Sequence, residues 1–200
     1  MGENGLAAWP PEDRKPTPRA YTIRRLNVAE GWLEVDFLVH DGESVGARWA
    51  MQAQPGQTIG IMGPVGRPVP LDAEWYVMGC DETGLPALSR MLETLPRETQ
   101  GIAYIEVADE AERQKIGNRT EIEVHWIFRD GIAAGHDTRL AESVLAVKWR
   151  ADCRCFGWFA AEGRAAARVR NTWRKKRGLG REETLTAAYW NLGEAGFMAG

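Results

Sequence analysis

Trp75-Tyr-Val-Met-Gly-Cys-Asp-Glu-Thr-Gly-Leu-Pro-Ala87 reads as a strand, a tight loop and a helix in immediate succession. Trp75 to Met78 is apolar and β-prone, and Leu85, Leu88, Met91, Leu92 and Leu95 repeat at helical spacing. Gly79 and Gly84 bracket the turn, and Pro86 suits the first turn of a helix, where a missing N–H costs nothing. Such a junction aims free backbone N–H groups and the positive end of a helix dipole at one spot, which suits a phosphate. It also serves as a plain βα turn inside a core, and both readings stay open.

The junction opens a longer alternation. Strands are predicted at 75–79, 101–107, 122–128, 153–160 and 184–190, with helices at 85–95, 109–115, 138–147 and 163–177. Strands alternating with helices imply a parallel sheet covered on both faces. Residues 19–72 read differently, as antiparallel β. Tyr21–Arg25 and Gly31–His40 are predicted strands, Ala47–Gln54 a short helix or turn, and Gln57–Pro64 a third strand. Residues 1–18 hold four prolines among polar residues and read as an extended leader. The expected fold class is therefore α/β: a partial antiparallel barrel over 19–72, then a parallel-sheet domain over 73–200.

Composition excludes several functions. The net charge of −3 argues against a general nucleic-acid binder, yet the charge is unevenly placed. Residues 164–181 hold eight Arg or Lys and no acidic residue, leaving 17 basic against 28 acidic side chains elsewhere. This basic run follows a strand end, so it is expected to face an anionic substrate; a solvated helix face is the alternative. No apolar run approaches the ~20 residues of a membrane span, and no signal-peptide pattern opens the chain, so a cytoplasmic location is expected. Cys153 and Cys155 form a C-x-C pair without the further ligands of a closed zinc site, so they are read as inert core thiols and no metal is expected.

Arg19-Ala-Tyr-Thr22, then Asp36-Phe-Leu-Val-His40, then Asp81-Glu-Thr-Gly-Leu-Pro-Ala87 and finally Tyr189-Trp190 occur in an order that resembles the siderophore-interacting proteins. The likeness runs from about Arg19 to Gly193. It implies an FAD-binding barrel followed by a nicotinamide-binding domain, with electrons passing from NAD(P)H through FAD to a ferric siderophore. Such chemistry needs position and electrostatics rather than a side-chain nucleophile.

By the same resemblance, Arg19 neutralises the FAD pyrophosphate, Tyr21 packs beside the flavin ring and Thr22 hydrogen-bonds its edge. His40 and Trp49 match positions near the cofactor. Asp81 or Glu82 orients the nucleotide loop, Thr83 and Gly84 line the phosphate and ribose side, and Pro86 opens the helix behind them. Glu106 arrives where such folds contact a ribose. Glu162 is retained from the family's A-G-E turn, and Trp190 is either a core residue or a platform near the flavin. Three positions depart from the pattern. Ala47 stands where a phosphate-binding Ser is expected, Cys80 replaces a Gly, and Asn191 replaces an Arg. The family also carries barrel strands ahead of Arg-x-Tyr-Thr, where this chain has its proline-rich leader. Three strands alone leave unpaired edges, so a homodimer is expected. The alternative is a shortened member that binds flavin weakly or not at all.

Overall fold

β-prone residues place β3 (Trp75–Cys80) at the centre of a five-stranded parallel sheet. The computed structural model describes residues 18–39, 44–63 and 66–194. The predicted leader and His40 fall outside them, apart from Pro18. After β3 come α2 (Leu85–Thr94), β4 (Gln100–Val107), β5 (Glu121–Phe128), α3 (Arg139–Ala146), β6 (Cys155–Glu162), α4 (Gly163–Asn171) and β7 (Thr184–Trp190). The spatial order is β5-β4-β3-β6-β7, so successive connections leave β3 in opposite directions. The strand order therefore reverses between β3 and β6, which is where open α/β sheets place their ligands.

The period-2 pattern of β3 builds a core on both faces. Tyr76, Met78 and Cys80 pack with Leu85, Leu88 and Leu92 of α2, while Val77 points to Val144 of α3, Val169 of α4 and Trp173. All of these are essentially inaccessible to water. Burial of a large apolar side chain contributes roughly 1.5–3 kcal/mol, so this three-layer sandwich dominates the stability of the chain.

The N-terminal part is smaller. β1 (Ile23–Asn27) and β2 (Trp32–Val35) pair antiparallel, and α1 (Val45–Gln52) follows, with the Ser44 side chain capping it by accepting from the Ala47 amide. The hairpin docks on α2. Arg24 forks onto Glu93 at 2.7 and 2.5 Å, and Arg90 donates to the Ile23 carbonyl at 2.6 Å.

Several predicted elements need correction. The third strand is absent among the described residues of 57–63, where Ile59, Ile61 and Met62 stand exposed. A strand needs a partner edge, and among the described residues no strand pairs with this stretch. The second strand stops at Val35, opposite Ile23 at the start of β1. The helix expected at 109–115 is a single 3-10 turn, Glu110–Glu112, capped by Asp109. The helix expected over 163–177 ends at Asn171 and continues as a π turn, Thr172–Lys176.

The basic run is also misplaced by the sequence reading. α4 starts at the carboxyl edge of the sheet but runs antiparallel to the strands. Trp173 therefore lies against Gly157 near the start of β6, and Arg177 reaches the Leu145 and Val147 carbonyls at the end of α3. Arg174, Lys175 and Lys176 thus sit at the amino edge, away from Glu162.

Gly101 is the tightest backbone approach in the sheet. Its φ is +153°, and an added Cβ would lie 2.1 Å from the Tyr76 carbonyl oxygen of the neighbouring strand. Neither backbone can give way cheaply, so Gly101→Ala is expected to cost about 2–3 kcal/mol. A urea midpoint equal to wild type would contradict this.

Candidate functional site

Asp81 follows the last residue of β3 and is buried. Its Oδ1 accepts from the Thr83 amide at 2.9 Å and the Thr83 hydroxyl at 2.5 Å. Its Oδ2 accepts from the Glu162 amide at 3.1 Å and the Trp190 indole Nε1 at 2.7 Å. One carboxylate thus ties together the carboxyl ends of β3, β6 and β7. Burial pushes the Asp81 pKa up, while the Thr83 and Trp190 donors pull it back.

The loop closes on itself. Besides the Thr83 amide, Gly84 N–H donates to Asp81 O and Leu85 N–H to Glu82 O. These are the amides the sequence offered to a phosphate, and each already has a partner. Gly84 is needed for packing: an added Cβ would meet Cys80 Cβ at 2.6 Å and Ala160 O at 2.8 Å. Cys80 points into the core, so it fills the room Gly84 leaves and does not crowd the outer face of the loop. Pro86 lies in the first turn of α2, as its missing N–H allows.

Glu162 is engaged rather than open. Its Oε2 accepts from the Arg164 and Ala165 amides at 2.7 and 3.2 Å, capping α4, and its Oε1 accepts from Leu192 N at 3.3 Å. The acid the family pattern singled out therefore occupies the anion position at the helix N-terminus.

Arg129, directly after β5, was not singled out in the sequence. It is buried, forks onto Glu82 at 2.6 and 2.9 Å, and reaches Glu106 at 3.4 Å. A lone cation closing an apolar strand was the available signal. Glu106 keeps one carboxylate oxygen, Oε2, buried and without a hydrogen-bond partner among the described residues. Burial raises its pKa to about 7; Arg129 opposes the shift, and Asp137 and Asp81 add to it.

On the N-terminal side, Tyr21, Phe37 and Trp49 form an aromatic row with ring centroids 4.5 and 5.8 Å apart. Tyr21 and Trp49 are 42% and 37% exposed, so the row presents faces to solvent. Arg19 lies close enough to oppose the rise in the Tyr21 pKa that burial causes. Its hydrogen-bond partner among the described residues is the Pro18 carbonyl at 2.8 Å. Thr22 lies beside the Tyr189 side chain, close enough to oppose the rise in the Tyr189 pKa that burial causes, and Tyr189 also lies near Cys80 and Asp81. The two groups of candidate residues therefore adjoin through Thr22 and Tyr189. His40 is outside the described residues, and Ala47 is buried, so its position offers no surface for a hydroxyl.

A parallel sheet with this switch point is thus joined to a smaller antiparallel unit flanked by an aromatic row and an arginine. Residues 73–193 match the family profile described as siderophore-interacting protein, and residues 1–68 match the siderophore-interacting FAD-binding domain. The chain belongs to the siderophore-interacting protein family. It is 31% identical over 194 residues to the ferric vibriobactin reductase ViuB of Vibrio cholerae, spanning 96% of this chain and 70% of that protein. It is 33% identical over 193 residues to the NADPH-dependent ferric-chelate reductase of Escherichia coli, spanning 94% and 71%. Among solved structures, a siderophore utilization protein from T. fusca superposes with a TM-score of 0.82 at 37% identity, covering 90% of this chain and 68% of that one. No helix among the described residues is long and apolar enough to cross a membrane.

Glu106 gives the site a pH signature. Its carboxyl titrates near 7 when folded against 4.5 as a reference, so the folded state holds a proton that the unfolded chain has lost. That contribution to stability is intact below about pH 4.5 and fades as pH rises to about 7. Glu106→Gln is therefore expected to flatten the fall in urea midpoint between pH 5 and pH 8. An unchanged slope would show that Glu106 is ionised throughout.

Proposed function

We propose that this protein reduces ferric siderophores, taking electrons from NAD(P)H by way of FAD, with residues 19–72 serving the flavin and residues 73–200 the nicotinamide. The observation that supports the reading is the docking of the hairpin on α2 through the Arg24–Glu93 fork and the Arg90–Ile23 bond, which sets the smaller unit against the sheet domain. The names of the V. cholerae and E. coli relatives supply the substrate class, and the FAD-binding profile supplies the cofactor.

The residues present fit a flavin. A half-exposed aromatic row beside a guanidinium matches a flat apolar ring with an anionic tail. Tyr21 and Trp49 would flank the ring and Arg19 would meet the pyrophosphate. Bound FAD supplies the conversion between a two-electron hydride donor and a one-electron acceptor such as Fe(III). The chain's own part is positional. Asp81 fixes Trp190 and the Thr83 loop, Arg129 fixes Glu82 and Glu106, and ribose hydroxyls would find acceptors along that acidic rim. Iron enters as substrate, and reduction to Fe(II) loosens its hold on hard oxygen ligands.

A weakly flavin-binding member is the second reading, favoured by two observations: the buried Ala47 and the self-satisfied amides of the Thr83 loop. Protein purified yellow, with a flavin absorption band and NAD(P)H-driven reduction of a ferric chelate, supports the first reading. Colourless protein that cannot be loaded with FAD supports the second. Arg19→Ala is expected to weaken FAD binding about tenfold or more while leaving the fold intact, since a charge-assisted hydrogen bond contributes about 1.5–3 kcal/mol. Equal flavin affinity in a fluorescence titration would exclude Arg19 from the site.

The reading extends to a homodimer through residues 19–71. Among the described residues, thirteen of the fourteen exposed large apolar side chains lie between Tyr21 and Leu71, a concentration that calls for cover. Sedimentation at micromolar concentration is expected to show a dimer. A monodisperse monomer of normal thermal stability would rule it out.

A further inference from the structure

The loop that leads into β6, together with the first residue of that strand, carries two thiols that the reaction above does not use. It lies at the amino edge of the sheet, opposite Asp81. Cys153 Sγ and Cys155 Sγ are 4.0 Å apart, and Cys155 Sγ lies 3.3 Å from the Arg150 carbonyl oxygen. Both are half-buried and within reach of solvent, unlike the core thiols expected from sequence; Cys80 alone is fully buried. The loop is braced from both sides. Arg150 forks onto Asp152 at 3.0 and 2.7 Å with its guanidinium 5.8 Å from the Trp75 ring centre, and the Glu74 and Trp75 amides donate to the Arg154 carbonyl at 2.9 and 3.2 Å. The sulfur positions are therefore set by the loop and not by a bond between them.

Their separation decides what they suit. A disulfide needs about 2.05 Å, roughly half the observed distance. Two bonds of about 2.3 Å to one metal ion put the thiolates about 3.8 Å apart at a tetrahedral angle and about 4.6 Å apart at a linear one. The observed 4.0 Å corresponds to an angle of about 120° at that bond length, so a linear two-thiolate ion would part the sulfurs by about 0.6 Å. Among the described residues no third His, Cys, Asp or Glu completes a cluster, so the four-ligand shell of structural zinc is not built. Two sulfurs alone match a soft ion of low coordination number.

We propose that Cys153 and Cys155 form a two-thiolate binding site for a soft, thiophilic monovalent cation of the Cu(I) type, on the opposite edge of the sheet from the cofactor surfaces. Each thiol that joins the ion gives its proton to solvent, and no electron is transferred. Burial, then Cys153, push the Cys155 pKa up to about 11, so the ion has to displace that proton. Affinity should then rise about tenfold for each unit by which pH is raised, for each proton displaced. The positive charge of Arg150, close enough to couple to both sulfurs, offsets the negative charge of a bis-thiolate complex.

The test is an anaerobic titration of the full-length, fully reduced protein with Cu(I) against a competing chromophoric chelator. Wild type is expected to hold one equivalent, with thiolate-to-copper absorption in the ultraviolet. Cys153→Ser and Cys155→Ser should each weaken binding at least about a hundredfold, whereas Cys80→Ser leaves it unchanged. Alkylating the accessible pair in folded wild-type protein, with Cys80 still free, should abolish uptake without any substitution. Uptake by the Cys153→Ser, Cys155→Ser double variant equal to wild type would overturn the site. So would a pair that closes to a disulfide with mild oxidant in protein that takes up no Cu(I). Flavin affinity is expected to be unaffected by these substitutions, so loss of the copper site and loss of the proposed reductase function can be told apart.

Discussion

The carboxylate of Asp81 holds the working end of this molecule together. Four donors from three segments converge on two oxygens, and each donor would be left buried or half-buried without them. A neutral hydrogen bond contributes about 1 kcal/mol net, but removing the shared acceptor orphans several donors at once, each at the cost of desolvation. The position of Trp190, the closed form of the Thr83 loop and the junction of β6 with α4 all depend on it. The next layer depends on these in turn: Glu162, whose amide Asp81 accepts, caps α4 and fixes Leu192. Order is thus passed along a chain of carboxylates, each satisfied by backbone or side-chain donors.

The two edges of the sheet differ in electrostatic character. The carboxyl edge gathers Asp81, Glu82, Glu106, Asp137 and Glu162, with Arg129 as the buried cation among them. The amino edge carries the far end of the basic run. Arg67 donates there to the Arg181 and Thr184 carbonyls, and Arg174 has its pKa lowered by burial and by the nearby charges of Arg181, Arg170 and Arg67. The polarity follows from topology. A helix that returns antiparallel to its strand carries its last turns to the opposite edge, and Arg174, Lys175, Lys176 and Arg177 lie in those turns.

That geometry explains which parts could be read in the sequence. The βα alternation placed every strand of the large sheet within about two residues, because period-2 burial and helical spacing are local signals. The stretch at 57–63 looked equally β-prone but makes no strand, since pairing is not a local property. Asp81 is expected from sequence to orient its loop, and its bonds to Thr83 do so; its ties to Glu162 and Trp190, and the cap Glu162 gives α4, are visible only once the strand ends are brought together. Arg129 went unnoticed because its two carboxylate partners lie 47 and 23 residues upstream. The basic run was noticed and misplaced, since its direction relative to the sheet is a tertiary fact.

The closed loop also bears on how anions are held. A strand–loop–helix junction binds phosphate when its first amides are free, and here Thr83, Gly84 and Leu85 have given theirs to Asp81 and Glu82. The surrounding rim is acidic, and at an effective dielectric constant near 20 a like-charge contact at 4 Å costs about 4 kcal/mol. Under the proposed reaction, the carboxyl edge is therefore better suited to hydroxyl donors than to phosphate oxygens. On the same proposal, the phosphate would fall to the cation beside the aromatic row, Arg19, whose partner among the described residues is a backbone carbonyl and not a carboxylate. In this chain the division of labour runs between the two structural units: the sheet edge offers acceptors and a rigid platform, and the hairpin side offers the positive charge.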